Sequence, residues 1–159
     1  MEKLLHYCWK HGILPSGRLT TTDGKDVEII DPGLHNTDSG PDFFNAKVRI
    51  GGELWAGNVE MHVASKDWFL HRHDKDEAYS NVILHVVSRT SGDIKAVTSA
   101  GREIPEIILN VPVHVMENYE ELLNTDRYPP CYRNIPHLEP LKVHSWMASL
   151  QTERLMLNI

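Results

Sequence analysis

Apolar and polar residues alternate over two neighbouring runs, GPDFFNAKVRI and ELWAGNVEMHV, with Gly51-Gly52 between them. A period of two is the strand period, so the stretch reads as a β-hairpin. In the first run Asp42, Phe44, Ala46, Val48 and Ile50 share one face, and Asn45, Lys47 and Arg49 take the other. In the second, Asn58, Glu60 and His62 share a face opposite Val59, Met61 and Val63. Carboxylates at core-directed positions are costly to desolvate unless paired, hydrogen-bonded or bound to a cation. Asp42 and Glu60 therefore mark this hairpin as the place to look for chemistry.

Register decides whether they meet. A plain two-residue loop at Gly51-Gly52 pairs Ile50 with Glu53 and Asp42 with Met61, which puts Asp42 and Glu60 on opposite sides of the sheet. One extra residue reverses that parity. Gly57 lies inside the second strand, where an isolated glycine often marks a bulge. With Gly57 and Asn58 together opposing Ala46, Glu60 falls opposite Phe44 and His62 opposite Asp42. Convergence of the three polar groups thus requires a bulge there, or an odd-length turn.

The remaining elements follow from the same patterns. Residues 2–11 read as a helix with Leu4, Leu5, Cys8 and Trp9 as its apolar stripe. Residues 18–30 read as a hairpin turning at Asp23-Gly24, and 34–40 as a polar loop. Asp74 and Glu77 have capping-box spacing, which predicts a short helix over 75–81. The run NVILHVV predicts a buried strand interrupted by His85. Residues 93–98 and 103–109 read as two more strands around Ser99-Ala100-Gly101, and 113–123 as a helix. Pro129, Pro130, Pro136 and Pro140 exclude regular structure over 126–140, leaving a linker or surface arm. A final helix is expected over 141–159, as the start of a longer C-terminal region.

The fold class expected is α+β: a core domain over 1–125 with a mixed, mainly antiparallel sheet and flanking helices. The length, 159 residues, suits one domain of that kind. No stretch has the length and apolarity of a membrane span, and the N-terminus lacks a signal-peptide pattern. Cys8 and Cys131 fit no metal or redox spacing and read as reduced thiols. These features predict a cytoplasmic protein without a membrane partner. A net charge of −6 gives no general attraction to nucleic acid. Lys47, Arg49, Lys66, Arg72 and Lys75 are interspersed with acids and form no basic stripe.

Pro41-Asp42, seventeen residues, then Glu60-Met61-His62 resembles the signature of the PD-(D/E)XK nucleases, with histidine in place of the usual lysine. The order of helix, Asp- and Glu-bearing strands, helix and strand is similar too, and implies a restriction-endonuclease-like core. Carried over, the resemblance makes Asp42 and Glu60 ligands of Mg²⁺ or Mn²⁺, helped by the carbonyl of Met61, because hard cations take oxygen. His62 would act as a base near neutral pH or as a ligand favouring Mn²⁺ or Zn²⁺, or it would mark a lineage that has lost catalysis. Glu2 on the first helix is the residue available as an extra acid. The phrases GPDFFNAKV, GNVEMHV, DWFLHRHD and NVILHVV also resemble an uncharacterised bacterial domain-of-unknown-function family over nearly the whole chain.

His62, His71, His73 and His85 form a second candidate, a zinc site with Asp67 or Asp74 as oxygen donors. Against it stand the absence of a recognised zinc spacing and the ordinary role of a histidine in a buried strand, that of a neutral hydrogen-bonded core residue. Trp55, Trp68, Phe69 and Tyr79 have the spacing of core aromatics and could otherwise stack on bases. Three functions are therefore carried forward. They are a metal-dependent nuclease at Asp42, Glu60 and His62, a non-catalytic interaction module, and a histidine-zinc protein or hydrolase.

Overall fold

The computed structural model describes residues 1–14, 17–123, 144–145 and 147–149, the side chains of 121–123 excepted. The chain forms two compact units, 1–116 and 117–159. The expected proline-rich arm lies outside the described residues, as does most of the terminal helix. Residues 144–145 and 147–149 of that helix are helical.

In chain order the elements are α1 (Glu2–Lys10), β1 (Leu19–Thr20), β2 (Asp26–Asp31), β3 (Leu34–His35), β4 (Phe43–Ile50), β5 (Glu53–Ala64), α2 (Asp67–Leu70), β6 (Val82–Arg89), β7 (Glu106–Ile108) and α3 (Val113–Leu123). Among the described residues seven strands make one mixed sheet in the order β1-β2-β4-β5-β6-β7, with β3 beside β2 on β4. Pairings from β1 to β5 are antiparallel, whereas β5–β6 and β6–β7 are parallel. Thr21 bridges back to Ile107, and the Thr22 N–H donates to Glu106 O at 2.8 Å. The two ends of the sheet thus meet, and it curls nearly into a barrel. The expected α+β class with a mixed, mainly antiparallel sheet is what the chain adopts.

α1 buries Leu4, Leu5, Cys8 and Trp9, and carries Glu2 in its first turn and Lys10 in its last, the charge order that suits the helix dipole. The Trp9 indole donates to Pro32 O at 2.9 Å, tying the helix to the turn after β2. β6 is buried from Val82 to Val87, which fits its central place between two parallel neighbours.

The β4–β5 hairpin turns at Gly51-Gly52, both at positive φ, the demand of a two-residue turn whose twist matches the strands. Ile50 pairs with Glu53 and Ala46 with Gly57, but Phe43 pairs with Val59. Phe44 and Asn45 together therefore stand against Asn58. A bulge is present, as convergence requires, but in β4 rather than at Gly57. Asn45 takes the left-handed conformation, φ 56°, and its N–H reaches Asn58 Oδ1 at 3.3 Å. The consequence is that Phe43, not Phe44, joins Ala46, Val48 and Ile50 in the core. Gly57 has another reason to be glycine: a Cβ there would lie 2.5 Å from Ile83 Cγ2 and 2.6 Å from Asn81 O.

Two other expectations are corrected. Over 75–81 there is no α-helix but two 3₁₀ turns, His73–Lys75 and Glu77–Tyr79, separated by Asp76 in an extended conformation. Asp76, not Asp74, supplies the cap, accepting from the Ala78 N–H at 2.9 Å. The pair of strands over 93–98 and 103–109 reduces to a single bridge, Val97 to Glu103. Pro105 interrupts it, and Glu106–Ile108 pairs with β6 instead. Among the described residues no helix is long and apolar enough to cross a membrane.

Candidate metal centre

The β4 bulge sets Asp42 across from Glu60, and the two residues exchange contacts through the backbone. The Asp42 N–H donates to Glu60 Oε2 at 3.1 Å, and Asp42 Oδ2 accepts the Met61 N–H at 2.9 Å. Met61 meets Asp42 through its N–H, which orients the carboxylate. Asp42 Oδ2 is also 3.2 Å from His6 Nε2 of α1. The helix residue that reaches the carboxylates is thus His6, while Glu2 lines the cleft outside.

Glu60 Oε1 turns the other way, toward imidazoles. It lies 3.3 Å from His73 Nε2 and 3.5 Å from His62 Nε2, and His62 Nε2 is 3.1 Å from His71 Nδ1. One ring nitrogen from each of His62, His71 and His73 falls within 4.8 Å of the others. Four donors at about 2.0–2.1 Å from a tetrahedral cation stand roughly 3.3 Å apart along each edge. The three measured edges bracket that figure. His73 Nε2 is buried without an aligned hydrogen-bond partner, so its lone pair or proton has nothing else to meet. Among the described residues Glu60 has no Lys or Arg partner, which removes the simplest ion-pair explanation for it.

Local structure fixes each ring. His62 sits in β5 with 1% of its surface exposed. His71 ends the short α2 and is exposed, so the site opens to solvent on its side. His73 starts the first 3₁₀ turn and stacks on Tyr79, centroids 3.7 Å apart and planes 26° apart. Trp68 packs edge-on to His62, His73 and His85. His85 stands outside the three-histidine group. Its Nε2 meets His62 Nδ1 at 2.9 Å, and its Nδ1 is 3.0 Å from Glu106 Oε2. Glu106 Oε1 accepts the Ser65 hydroxyl at 2.9 Å.

Burial governs the titration of the cluster. Glu60 is pushed up to about 9 by desolvation and then by the charge of Asp42. Desolvation, followed by the neighbouring His85, His73 and His71, lowers His62 to about 2. Burial also lowers His73. For His6 burial acts downward, but the hydrogen bond and charge of Asp42 outweigh it and the net shift is upward. A divalent cation takes a neutral imidazole through its free lone pair and displaces the proton of a carboxyl group that resists ionisation.

Beside Asp42 opens a cleft of about 650 Å³ between α1 and the loop after β3, with Lys3, Tyr7, Lys10, His11 and His35 on its walls. Sequence reasoning passed over His6, Ser65 and Glu106. Two signals pointed to His6 and Glu106, and none to Ser65: Glu2 and His6 have i, i+4 spacing on one helix face, and Glu106 is a lone carboxylate in the apolar run IPEIIL.

No curated protein and no solved structure matches this chain. The likeness to PD-(D/E)XK nucleases therefore draws no support from relatives. A family model described as "Protein of unknown function (DUF2851)" matches residues 2–158, nearly all of the sequence. The chain belongs to that family.

Proposed function

We propose that residues 1–116 form a divalent-metal-dependent hydrolase for phosphodiesters, its cation held by Glu60, His62, His71 and His73. The observation that carries this reading is the set of edges at 3.1, 3.3 and 3.5 Å among three buried donors and the exposed His71. Three imidazoles and one carboxylate suit Zn²⁺ or Mn²⁺ better than Mg²⁺. A cation held by these residues would be reached by water from the exposed His71 side. There it would lower the pKa of that water and polarise a phosphoryl oxygen.

Support for the phosphodiester comes from the element order. α1, the antiparallel trio β2, β4 and β5, then α2 and a strand parallel to β5, follow the arrangement that the nuclease resemblance implies. Asp42 immediately precedes the middle strand, with Glu60-Met61-His62 in the next. Lys3 and Lys10 line the cleft beside Asp42 together with Glu2 and Asp38, so its charge is mixed and the phosphodiester reading rests on the element order. A second reading places Mg²⁺ or Mn²⁺ between Asp42 and Glu60, favoured by the bulge that brings the two together.

Calorimetric titration with Zn²⁺, Mn²⁺ and Mg²⁺, paired with hydrolysis of bis(p-nitrophenyl) phosphate, separates the readings. Zn²⁺ or Mn²⁺ binding lost in His73→Ala and weakened in His71→Ala supports the histidine-centred cation. Binding lost in Asp42→Ala but kept in both histidine variants transfers the metal to the carboxylate pair. No binding of any cation leaves a non-catalytic interaction module and overturns the proposal.

A further inference from the structure

We propose that Glu106 is a positioning residue: acting through His85, it fixes the tautomer of His62 so that a lone pair on His62 Nε2 faces Glu60, His71 and His73. Its consequence for the metal rests on the reading above, but the tautomers exist and can be measured without any metal.

The chain of contacts runs across three adjacent strands. Glu60 of β5 pairs with His85 of β6, and His85 pairs with Glu106 of β7. Side chains at such positions stand in a row on one face of the sheet. All are shielded from water: His85 is 0% exposed, Glu106 6% and Ser65 1%. The direction of the row is set at its far end. The Ser65 hydroxyl oxygen accepts the Ser91 N–H at 3.3 Å, which leaves its proton to donate to Glu106 Oε1 at 2.9 Å.

A carboxylate only accepts. Glu106 Oε2, 3.0 Å from His85 Nδ1, therefore favours the proton on that nitrogen. This is a close approach rather than an aligned hydrogen bond, yet neither atom has another partner. With its proton on Nδ1, His85 offers a bare Nε2 to His62 Nδ1, 2.9 Å away. His62 must then carry its own proton on Nδ1, and Nε2 is left as an acceptor. Two imidazoles in contact can be arranged in either direction with equal ease, and the carboxylate removes that degeneracy. A ligating histidine whose second nitrogen is held by an outer partner gains both orientation and basicity, and losing such a partner costs about 10–100-fold in metal affinity.

The test reads ring tautomers by long-range ¹H–¹⁵N correlation on the ¹⁵N-labelled full chain at neutral pH with chelator present. The His62 and His85 signals are assigned through His62→Gln and His85→Gln. Both rings are expected as Nδ1–H forms in the wild type. Glu106→Leu, which keeps the volume and removes the acceptor, is expected to move one or both rings toward the Nε2–H form. It should also weaken Zn²⁺ binding about 10–100-fold. Glu106→Gln retains an acceptor oxygen for His85 and should restore both. A wild-type His62 protonated on Nε2, or a folded Glu106→Leu variant with both tautomers unchanged, overturns the assignment. If Glu106→Leu does not fold, the wild-type tautomers and the Glu106→Gln comparison still decide it. Nδ1–H tautomers that depend on Glu106 in a protein that binds no Zn²⁺ would overturn the metal reading alone.

Discussion

Asp42 and Glu60 are locked together across the sheet: the N–H of the first donates to a carboxylate oxygen of the second at 3.1 Å, while Asp42 Oδ2 takes the Met61 N–H at 2.9 Å. Each acid thus commits one oxygen to the other strand's backbone or to its partner's. Glu60 Oε1 is left to face the histidines. This mutual hold exists only because Phe44 and Asn45 occupy the place of one residue opposite Asn58.

Asn45 is therefore where the site is most sensitive to a change that touches none of its donors. Its φ of 56° suits asparagine or glycine and penalises a β-branched side chain. Asn45→Val should cost about 1–2 kcal/mol in urea unfolding and weaken metal binding, because the bulge no longer holds its shape. Asn45→Gly should change stability by less than about 1 kcal/mol and leave binding intact. Equal losses in both variants would show that the backbone conformation is not the cause.

That dependence also explains what could be read from the residues and what could not. Alternation identified β4 and β5 and put His62 on the face of Glu60, and the cost of burying charge singled out Asp42 and Glu60. The parity argument required one extra residue, and one is there. Its location was missed because a glycine in a strand has two causes, a bulge or a close approach. At Gly57 the cause is β6, whose Ile83 and Asn81 lie against it. Such a contact joins residues far apart in the chain and leaves no local pattern. Glu106 and His6 left local signals, a carboxylate in an apolar run and i, i+4 spacing with Glu2, but their partners are supplied by topology. His71 and His73 were visible as types but not as geometry, since two 3₁₀ turns stand where capping-box spacing predicts a helix.

Gly57→Ala tests the close approach directly. The added methyl would meet a side-chain carbon at 2.5 Å and a backbone oxygen at 2.6 Å. Overpacking of this kind costs about 1–3 kcal/mol. The backbone contact cannot be relieved by trimming a neighbour, so Gly57→Ala/Ile83→Ala should be no more stable than Gly57→Ala alone. Recovery in the double variant would show that Ile83 was the whole obstacle.

Cation uptake should release protons. Burial and Asp42 keep Glu60 protonated to about pH 9 in the metal-free protein, and a bound cation must displace that proton. Titration of Zn²⁺ at pH 7.5 in buffers of differing ionisation enthalpy should give about one proton released per cation. Glu60→Gln should reduce both the affinity and the released proton. A proton count near zero in the wild type would show that the cation displaces no proton from Glu60.

The same groups set opposite limits on the stability of the metal-free domain. Glu60 titrates near 9 in the fold against an ordinary 4.5, so folding favours its protonated form. Its contribution is fully present below pH 4.5 and is lost as pH rises to 9. His62 titrates near 2 against an ordinary 6.5, so folding favours the neutral ring. That contribution is present above pH 6.5 and is lost as pH falls toward 2. Between 4.5 and 6.5 the two slopes oppose each other, and the stability maximum belongs there. His73, lowered by burial, steepens the acid side. His6, raised by Asp42 against the effect of burial, adds to the alkaline side. Above pH 6.5 the fall should approach, at most, about 1.4 kcal/mol per pH unit for Glu60. Melting temperature measured against pH with chelator should therefore decline from 6.5 to 9 in the wild type and flatten in Glu60→Gln. Saturating Zn²⁺ should flatten it as well, since the cation stabilises the ionised acid. A wild-type curve already flat over that range would mean that Glu60 ionises freely in the fold, and the case for a buried acid awaiting a cation would go with it.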